Sequence, residues 1–439
     1  MARILKRKTL LLVTAILLAV GLAGAAGTNK IYVIRDAKVH TMGPAGTIPH
    51  ATLVIIGNKI AGVGQNVKAL AIGGSNPIID GRGLEVYPGL INAWSNIGLT
   101  EISSVPATND STEMGDFNPQ LLAFSAVHPA SEHIPVARVN GITASLSAPA
   151  GGIISGQATL LHLDGWTTDE MTLLKSAGMV INFPSLEGRT RFGSGEGFFP
   201  DSRRAPFSET KRNYEKRVKE LSDLMEQARH YEKARAADPS TPRDHKLEAL
   251  VSVIQGRLPV FLEADSAGDI RNAVEFAKKE KLRAVIRGGR DANKVADLLK
   301  KENVPVILDS IVKLPAREDD AYDAPFTLPR DLAKAGVRFA LTSPSSSNIR
   351  NLPYEAGFAE AYGLAHMDAL RAITLSPAEI LGVADKIGTI EVGKIADVVV
   401  TDGDILEIRT QIKHLFIAGK NVSLETKHTR LYQKYLARQ

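Results

Sequence analysis

Short apolar runs, broken by glycine-bearing turns, mark both ends of the chain, and longer alternating blocks fill the middle. Ile31-Tyr32-Val33-Ile34 and Leu53-Val54-Ile55-Ile56 are β-rich, and Gly57-Asn58-Lys59 leads into Ile60-Ala61-Gly62-Val63-Gly64 as a hairpin does. The same texture returns at Asp397–Thr401 and His414–Ala418, with Gly419-Lys420-Asn421 as the turn. Two distant β-rich ends predict one small β-sandwich domain assembled from residues 27–87 and 386–425. Between them, strand-like runs at Leu258–Leu262, Ala284–Ile286, Val304–Leu308 and Val337–Leu341 alternate with helical stretches over Asp269–Lys281 and Asp291–Glu302. Strands separated by helices of this length predict βαβ units and a parallel sheet.

The stretch 88–385 is long enough for an eight-stranded (β/α)8 barrel, which takes ~250 residues. Periodicity alone does not separate that barrel from an open doubly wound sheet. Gly141–Ala148 reads as a second strand, followed by a β excursion over Ile153–Asp164. An insertion over 189–240 interrupts the alternation. Its first part is rich in Gly, Arg and Phe and predicts a loop over the barrel mouth. Its second part is a helix over Ser208–Ala237, with Tyr214, Val218, Leu221, Met225, Ala228 and Tyr231 on one stripe and charges elsewhere. The last stretch, 426–439, predicts a helix whose Leu431, Tyr432, Tyr435 and Leu436 pack on the barrel or across an interface.

Composition adds limits. The chain has 439 residues and no cysteine, which excludes disulfides, thiolate metal sites and a cysteine nucleophile. Arg3, Lys6, Arg7 and Lys8 precede an apolar run, Thr9–Leu22, and then Ala23-Gly24-Ala25-Ala26. This order of basic, apolar and small residues predicts a signal peptide over 1–26 and export to a periplasm or beyond. The run is short of the ~20 residues a membrane span needs, so no membrane association is expected beyond the leader. The net charge of +5 owes four of its charges to that leader, which leaves no basic surplus for nucleic acid. Gly193–Gly197 lacks the strand–loop–helix spacing and the lysine of a phosphate cradle, and no Gly-x-Ser-x-Gly elbow is present.

Two sets of residues carry a resemblance. Pro88-Gly89-Leu90-Ile91 matches a first barrel strand; Ala372–Gly382 matches a last barrel helix, and Ile387–Val400 the return into a small β domain. Together with the N-terminal hairpin and Ala418-Gly419-Lys420, these resemble the amidohydrolase superfamily, nearest its imidazolonepropionase-like branch, from Lys30 to about Val422. The resemblance implies a distorted TIM-like barrel, a metal centre and hydrolysis of carbon–nitrogen bonds in small amides, cyclic amides or dipeptide-like molecules.

The implied metal ligands are where this chain departs. The first strand of the family ends in His-x-His, which presents two imidazoles on one side; here Trp94 and Asn96 stand there. Where a histidine is implied after strand five, the chain has Leu262-Glu263-Ala264-Asp265, and after strand six Ile286-Arg287-Gly288-Gly289. Where an aspartate is implied after strand eight, it has Ala340-Leu341-Thr342-Ser343. A zinc site needs three ligands from histidine and carboxylate plus an open position, so no metal and no other cofactor are expected. The candidate cleft residues are Trp94, Asn96, Glu263, Asp265, Arg287 and Ser343, with Arg287 expected to pair with Glu263 or Asp265. His162 shares a strand face with Asp164 but sits in the β excursion, where a metal role is not expected.

Two functions follow. One is a metal-free, catalytically degenerate member that keeps a small-molecule cleft, or serves as a homodimer or as partner to a competent relative. The other is an active hydrolase with an atypical ligand set and divalent zinc.

Overall fold

The computed structural model describes residues 30–67, 77–187 and 206–438. The leader, the Gly193–Gly197 run and most of the Gly/Arg/Phe-rich stretch lie outside the described residues. No helix among the described residues is long and apolar enough to cross a membrane.

The first five strands are β1 (Ile31–His40), β2 (Thr47–Ile56), β3 (Lys59–Gly64), β4 (Ile78–Asp80) and β5 (Glu85–Pro88). They join three from the other end, β14 (Val398–Thr401), β15 (Ile412–Ile417) and β16 (Lys420–Asn421), in the order β16-β15-β14-β5-β1-β2-β3, with β4 beside β1. All eight are hydrogen-bonded as one sheet. Ile34, Leu53, Ile55, Val86, Val398, Val400 and Phe416 fill its core. Alternate residues of these strands point the same way, so the apolar alternation in the sequence becomes one apolar face.

The middle forms a second eight-stranded sheet, ordered from β6 to β13 without interruption. Its strands are β6 (Leu90–Ser95), β7 (Ile142–Ser147), β8 (Ile154–His162), β9 (Thr172–Ile181), β10 (Val260–Ala264), β11 (Ala284–Gly288), β12 (Val306–Leu308) and β13 (Phe339–Ala340). Among the described residues the helices in chain order are α1 (His133–Arg138), α2 (Thr168–Met171), α3 (Phe207–Ala237), α4 (His245–Ile254), α5 (Ala267–Glu280), α6 (Ala296–Lys301), α7 (Ala324–Ala335), α8 (Leu352–Ala361), α9 (His366–Ala372), α10 (Leu375–Leu381) and α11 (Lys427–Leu436).

β8 runs antiparallel to both β7 and β9, while the other neighbours are parallel. The short links on either side of β8 decide this, because a parallel connection needs a crossover of a dozen or more residues. The β excursion is therefore a strand of the barrel wall itself. Its reversed direction carries His162 to the opposite end from the mouth, level with Ala144 near the start of β7.

The pleat sorts the barrel into two cores. Val260, Leu262, Ile286, Val306 and Leu308 face outward and pack with the surrounding helices, including Leu221, Met225 and Ala228 of α3. Ile91, Ala93, Leu146, Leu160, Val180, Phe261, Val285, Ile307 and Ala340 face inward, and Ile380, Leu381, Val383 and Ile387 belong to the same cluster. Phe261 fills space that Gly178 leaves open; a Cβ there would stand 2.3 Å from its ring.

The gap between β6 and β13 is bridged by other groups than a strand ladder. Ile91 N–H donates to the Ile373 carbonyl and Leu341 N–H to that of Ala372, so the end of α9 is wedged between first and last strands. In α11, Leu431, Tyr432, Tyr435 and Leu436 are all exposed. Of the two placements expected for them, packing on the barrel is not the one seen in the single chain.

Candidate functional site

At the C-terminal end of the barrel the inward-facing positions change from apolar to charged. Glu263 follows Phe261 by two residues on β10, and Arg287 follows Val285 by two on β11; the two are register partners on adjacent parallel strands. Both therefore point where Phe261 and Val285 point, one layer higher. Arg287 also pairs in register with Ile307, the last inward residue of β12, and Asp309 comes two residues later. Barrel active sites are built at these strand ends.

Arg287 is 9% exposed and its Nη2 donates to Asp309 Oδ1 at 3.2 Å. Its guanidinium carbon lies 5.2 Å from the centroid of the Trp94 ring, a cation–π contact. Trp94 in turn meets Phe261 edge to face, with centroids 5.4 Å apart. The Nε of Arg287 is buried without a hydrogen-bond partner. Phe261, Trp94 and Arg287 thus stack from the barrel interior toward the mouth.

The electrostatics follow. Burial pushes the Asp309 carboxyl up, but Arg287 and Lys313 outweigh it and hold the group below its ordinary range. Lys313 Nζ is 3.6 Å from Asp309 Oδ2. Glu355 of α8 moves the other way, because burial raises it despite three donors. Those donors are the Ser310 hydroxyl at 2.5 Å, Ile311 N–H at 2.8 Å and Val312 N–H at 3.2 Å, so Glu355 pins the loop after β12. A second ionic group lies on the rim: Arg317 reaches Glu187 and Asp291, and Arg290 reaches the same two acids.

The remaining candidates have other employment. Asp265 accepts from the backbone N–H of Arg290, and its own carbonyl accepts from Asp291 N–H. It caps the turn after β11 and does not pair with Arg287. Gly288 lies at φ 98° beneath it, and a Cβ there would come 2.6 Å from Asp265 Oδ1. Asn96 Oδ1 accepts from Ser346 N–H at 2.8 Å, and Asn92 clasps both backbone groups of Ser343. Ser343 is buried, and its hydroxyl donates to the Asn348 carbonyl. Asn96 and Ser343 thereby close the gap between β6 and β13. Sequence reasoning missed Asp309, though it directly follows the strand run Val306–Leu308.

The donors at the mouth do not fit the metal centre that the resemblance implies. None of the ten histidines stands at an inward strand end of the mouth; His162, the last residue of β8, lies at the opposite end of the barrel. The side chains gathered there are a guanidinium, an indole, two carboxylates and the Thr342 hydroxyl, which donates to the Leu308 carbonyl at 2.7 Å. A fixed cation at the centre repels a dication. What the arrangement can do is bind: an arginine fork matches a carboxylate or a carbonyl, and an aromatic face matches a flat or apolar neighbour.

An eight-stranded barrel closed through α9, beside a sheet made of both chain ends, is an amidohydrolase architecture. The amidohydrolase family model matches residues 260–424. A crystal structure of an amidohydrolase from Thermotoga maritima superposes with a TM-score of 0.77 at 22% identity, covering 89% of this chain and 99% of that one. A prolidase complexed with N-methylphosphonate-L-proline gives 0.55 at 18% identity, covering 90% and 100%. The curated amidohydrolase tasK of Hapsidospora irregularis is 23% identical over 361 residues, which is 78% of this chain and 37% of that relative's length. The chain thus spans well under half of that relative. The family match over the C-terminal part of the chain and the shared fold are what this protein has in common with amidohydrolases.

Proposed function

We propose that this chain is an exported, catalytically degenerate amidohydrolase whose barrel mouth holds a small carboxylate- or amide-bearing molecule without a metal ion. One observation carries the reading: Arg287 lies on the Trp94 face and beside Asp309, at a strand end where the resemblance implies a histidine ligand. Its unsatisfied buried Nε is a donor that a ligand oxygen can meet. Asp309, held below the ordinary carboxylate range, is a poor general base near neutral pH. The prolidase neighbour suggests the ligand class, a proline-containing or cyclic amide with a carboxylate. Export rests on the leader pattern alone, and the N-terminal sequence of protein recovered from its native cell tests it.

Trp94 offers a probe. The chain has two tryptophans, and the other, Trp166, is 92% exposed. In a Trp166→Phe protein, Trp94 fluorescence reports the mouth. Titration with proline, acyl-prolines and cyclic amides is expected to give a saturable change that Arg287→Met weakens at least about ten-fold, the loss of one charged hydrogen-bond pair. Absence of any saturable change across the series counts against the cleft.

The second reading is an active hydrolase with an atypical ligand set. The observation in its favour is the pair of carboxylates, Glu263 and Asp309, retained at the strand ends. It predicts turnover of dipeptides or cyclic amides on adding zinc, lost in Glu263→Gln; no turnover is expected under the first reading.

A further inference from the structure

Away from the mouth, the end of α8, the start of α9 and the loop after β14 bring together Glu360, His366 and Asp404. One ligand atom from each lies within 4.8 Å of the others. We propose that these three side chains bind one divalent transition-metal ion of the zinc type, clipping the α8–α9 pair of the barrel to the small sheet.

The spacing is that of a coordination shell. His366 Nδ1 lies 3.1 Å from each Glu360 oxygen and 3.7 Å from Asp404 Oδ2. Ligands ~2.0–2.2 Å from a tetrahedral zinc stand roughly 3.4 Å from one another, and the two separations from His366 bracket that value, with Glu360 and Asp404 within 4.8 Å of each other. Asp404 is already oriented, because its Oδ1 accepts from Leu406 N–H at 3.0 Å and turns Oδ2 toward the imidazole. Such an outer hydrogen bond is what fixes a ligating carboxylate. The side chains are between 33% and 36% exposed, so a fourth position opens to water. A neutral imidazole with two carboxylates supplies two negative charges, and the nitrogen donor selects zinc, cobalt or nickel over magnesium or calcium.

The competing account is a plain ion pair, which needs a proton on His366. Metal binding needs that nitrogen free, so the test is made above neutral pH. Cobalt(II) added to the full chain at pH about 8 is expected to give one saturable equivalent with tetrahedral visible bands, since protons compete with a metal for its ligands at lower pH. His366→Gln and Asp404→Asn are each expected to weaken binding at least ten-fold; Asn keeps the Oδ1 acceptor for Leu406. Zinc is expected to raise the unfolding midpoint of the parent chain and of neither variant, with circular dichroism checking that all three fold. Glu263→Gln and Arg287→Met are expected to leave the cobalt signal unchanged, which separates this site from the mouth. No saturable cobalt, binding indifferent to both seam variants, or binding lost in Glu263→Gln overturns the proposal.

Discussion

The mouth of the barrel and the seam between barrel and small sheet divide the ionisable residues unequally. The mouth has Arg287, Glu263 and Asp309 on strand ends, and no imidazole. The seam has three histidines, each with a carboxylate. His40 lies 2.8 Å from Glu85 and stacks on Tyr87; His162 lies 2.8 Å from Asp397; His366 joins Glu360 and Asp404. The mouth thus gathers a buried guanidinium with carboxylates, whereas the seam gathers imidazole–carboxylate pairs. A barrel fold fixes where strand ends converge; it does not fix which end of the molecule keeps the histidines.

The sharpest way to break this contrast is to cut a seam pair. Asp397 accepts from His162 Nε2 and from Ala418 N–H, both at 2.8 Å, the first buried and the second partly so. Asp397→Ala is expected to cost about 3–5 kcal/mol, two charge-assisted bonds left without their acceptor, read by denaturant unfolding. At the mouth, Arg287→Met is expected to cost less, about 1–2 kcal/mol, because Asp309 is partly solvated and a similar apolar stem replaces the guanidinium. A larger loss at the mouth than at the seam would reverse the comparison.

The same variant changes the acid limb. Asp309 is depressed in the folded state, so its contribution is present above the unfolded pKa of 3.8 and is lost as pH falls through the lower folded value. Arg287→Met is expected to shrink that contribution, seen as a flatter stability profile below pH about 4.

The smallest expected effect belongs to His40. Burial lowers its pKa from 6.5, against the opposing hydrogen bond from Glu85. The unfolded imidazole therefore takes up a proton first as pH falls through about 6.5, and stability drops there. In His40→Gln that slope is expected to flatten, measured by unfolding midpoints between pH about 7 and about 5. An unchanged slope would assign the seam's pH response to other groups.

The sequence made the strand ends legible. Alternation along Val260–Ala264 and Ala284–Gly288 set Glu263 and Arg287 on the face of Phe261 and Val285, and the structure keeps them there. Asp309 was as legible, since it follows an apolar strand run by one residue. Asp265 was misjudged because one residue beyond the strand the pleat no longer applies, and its carboxylate turns to the Arg290 backbone. Asn96 and Ser343 carried no signal of their role, because closing β6 against β13 depends on segments some 250 residues apart.

By itself, then, the chain determined its strands, their inward faces and which residues other than histidine stand at Trp94, Glu263 and Arg287, because these are local matters of pleat and residue type. Only the folded molecule decided which carboxylate Arg287 meets, that short links reverse β8 and send His162 to the seam, and that Glu360, His366 and Asp404 converge. Those are distances between elements, set by how the helices and sheets pack, and no spacing along the sequence encodes them.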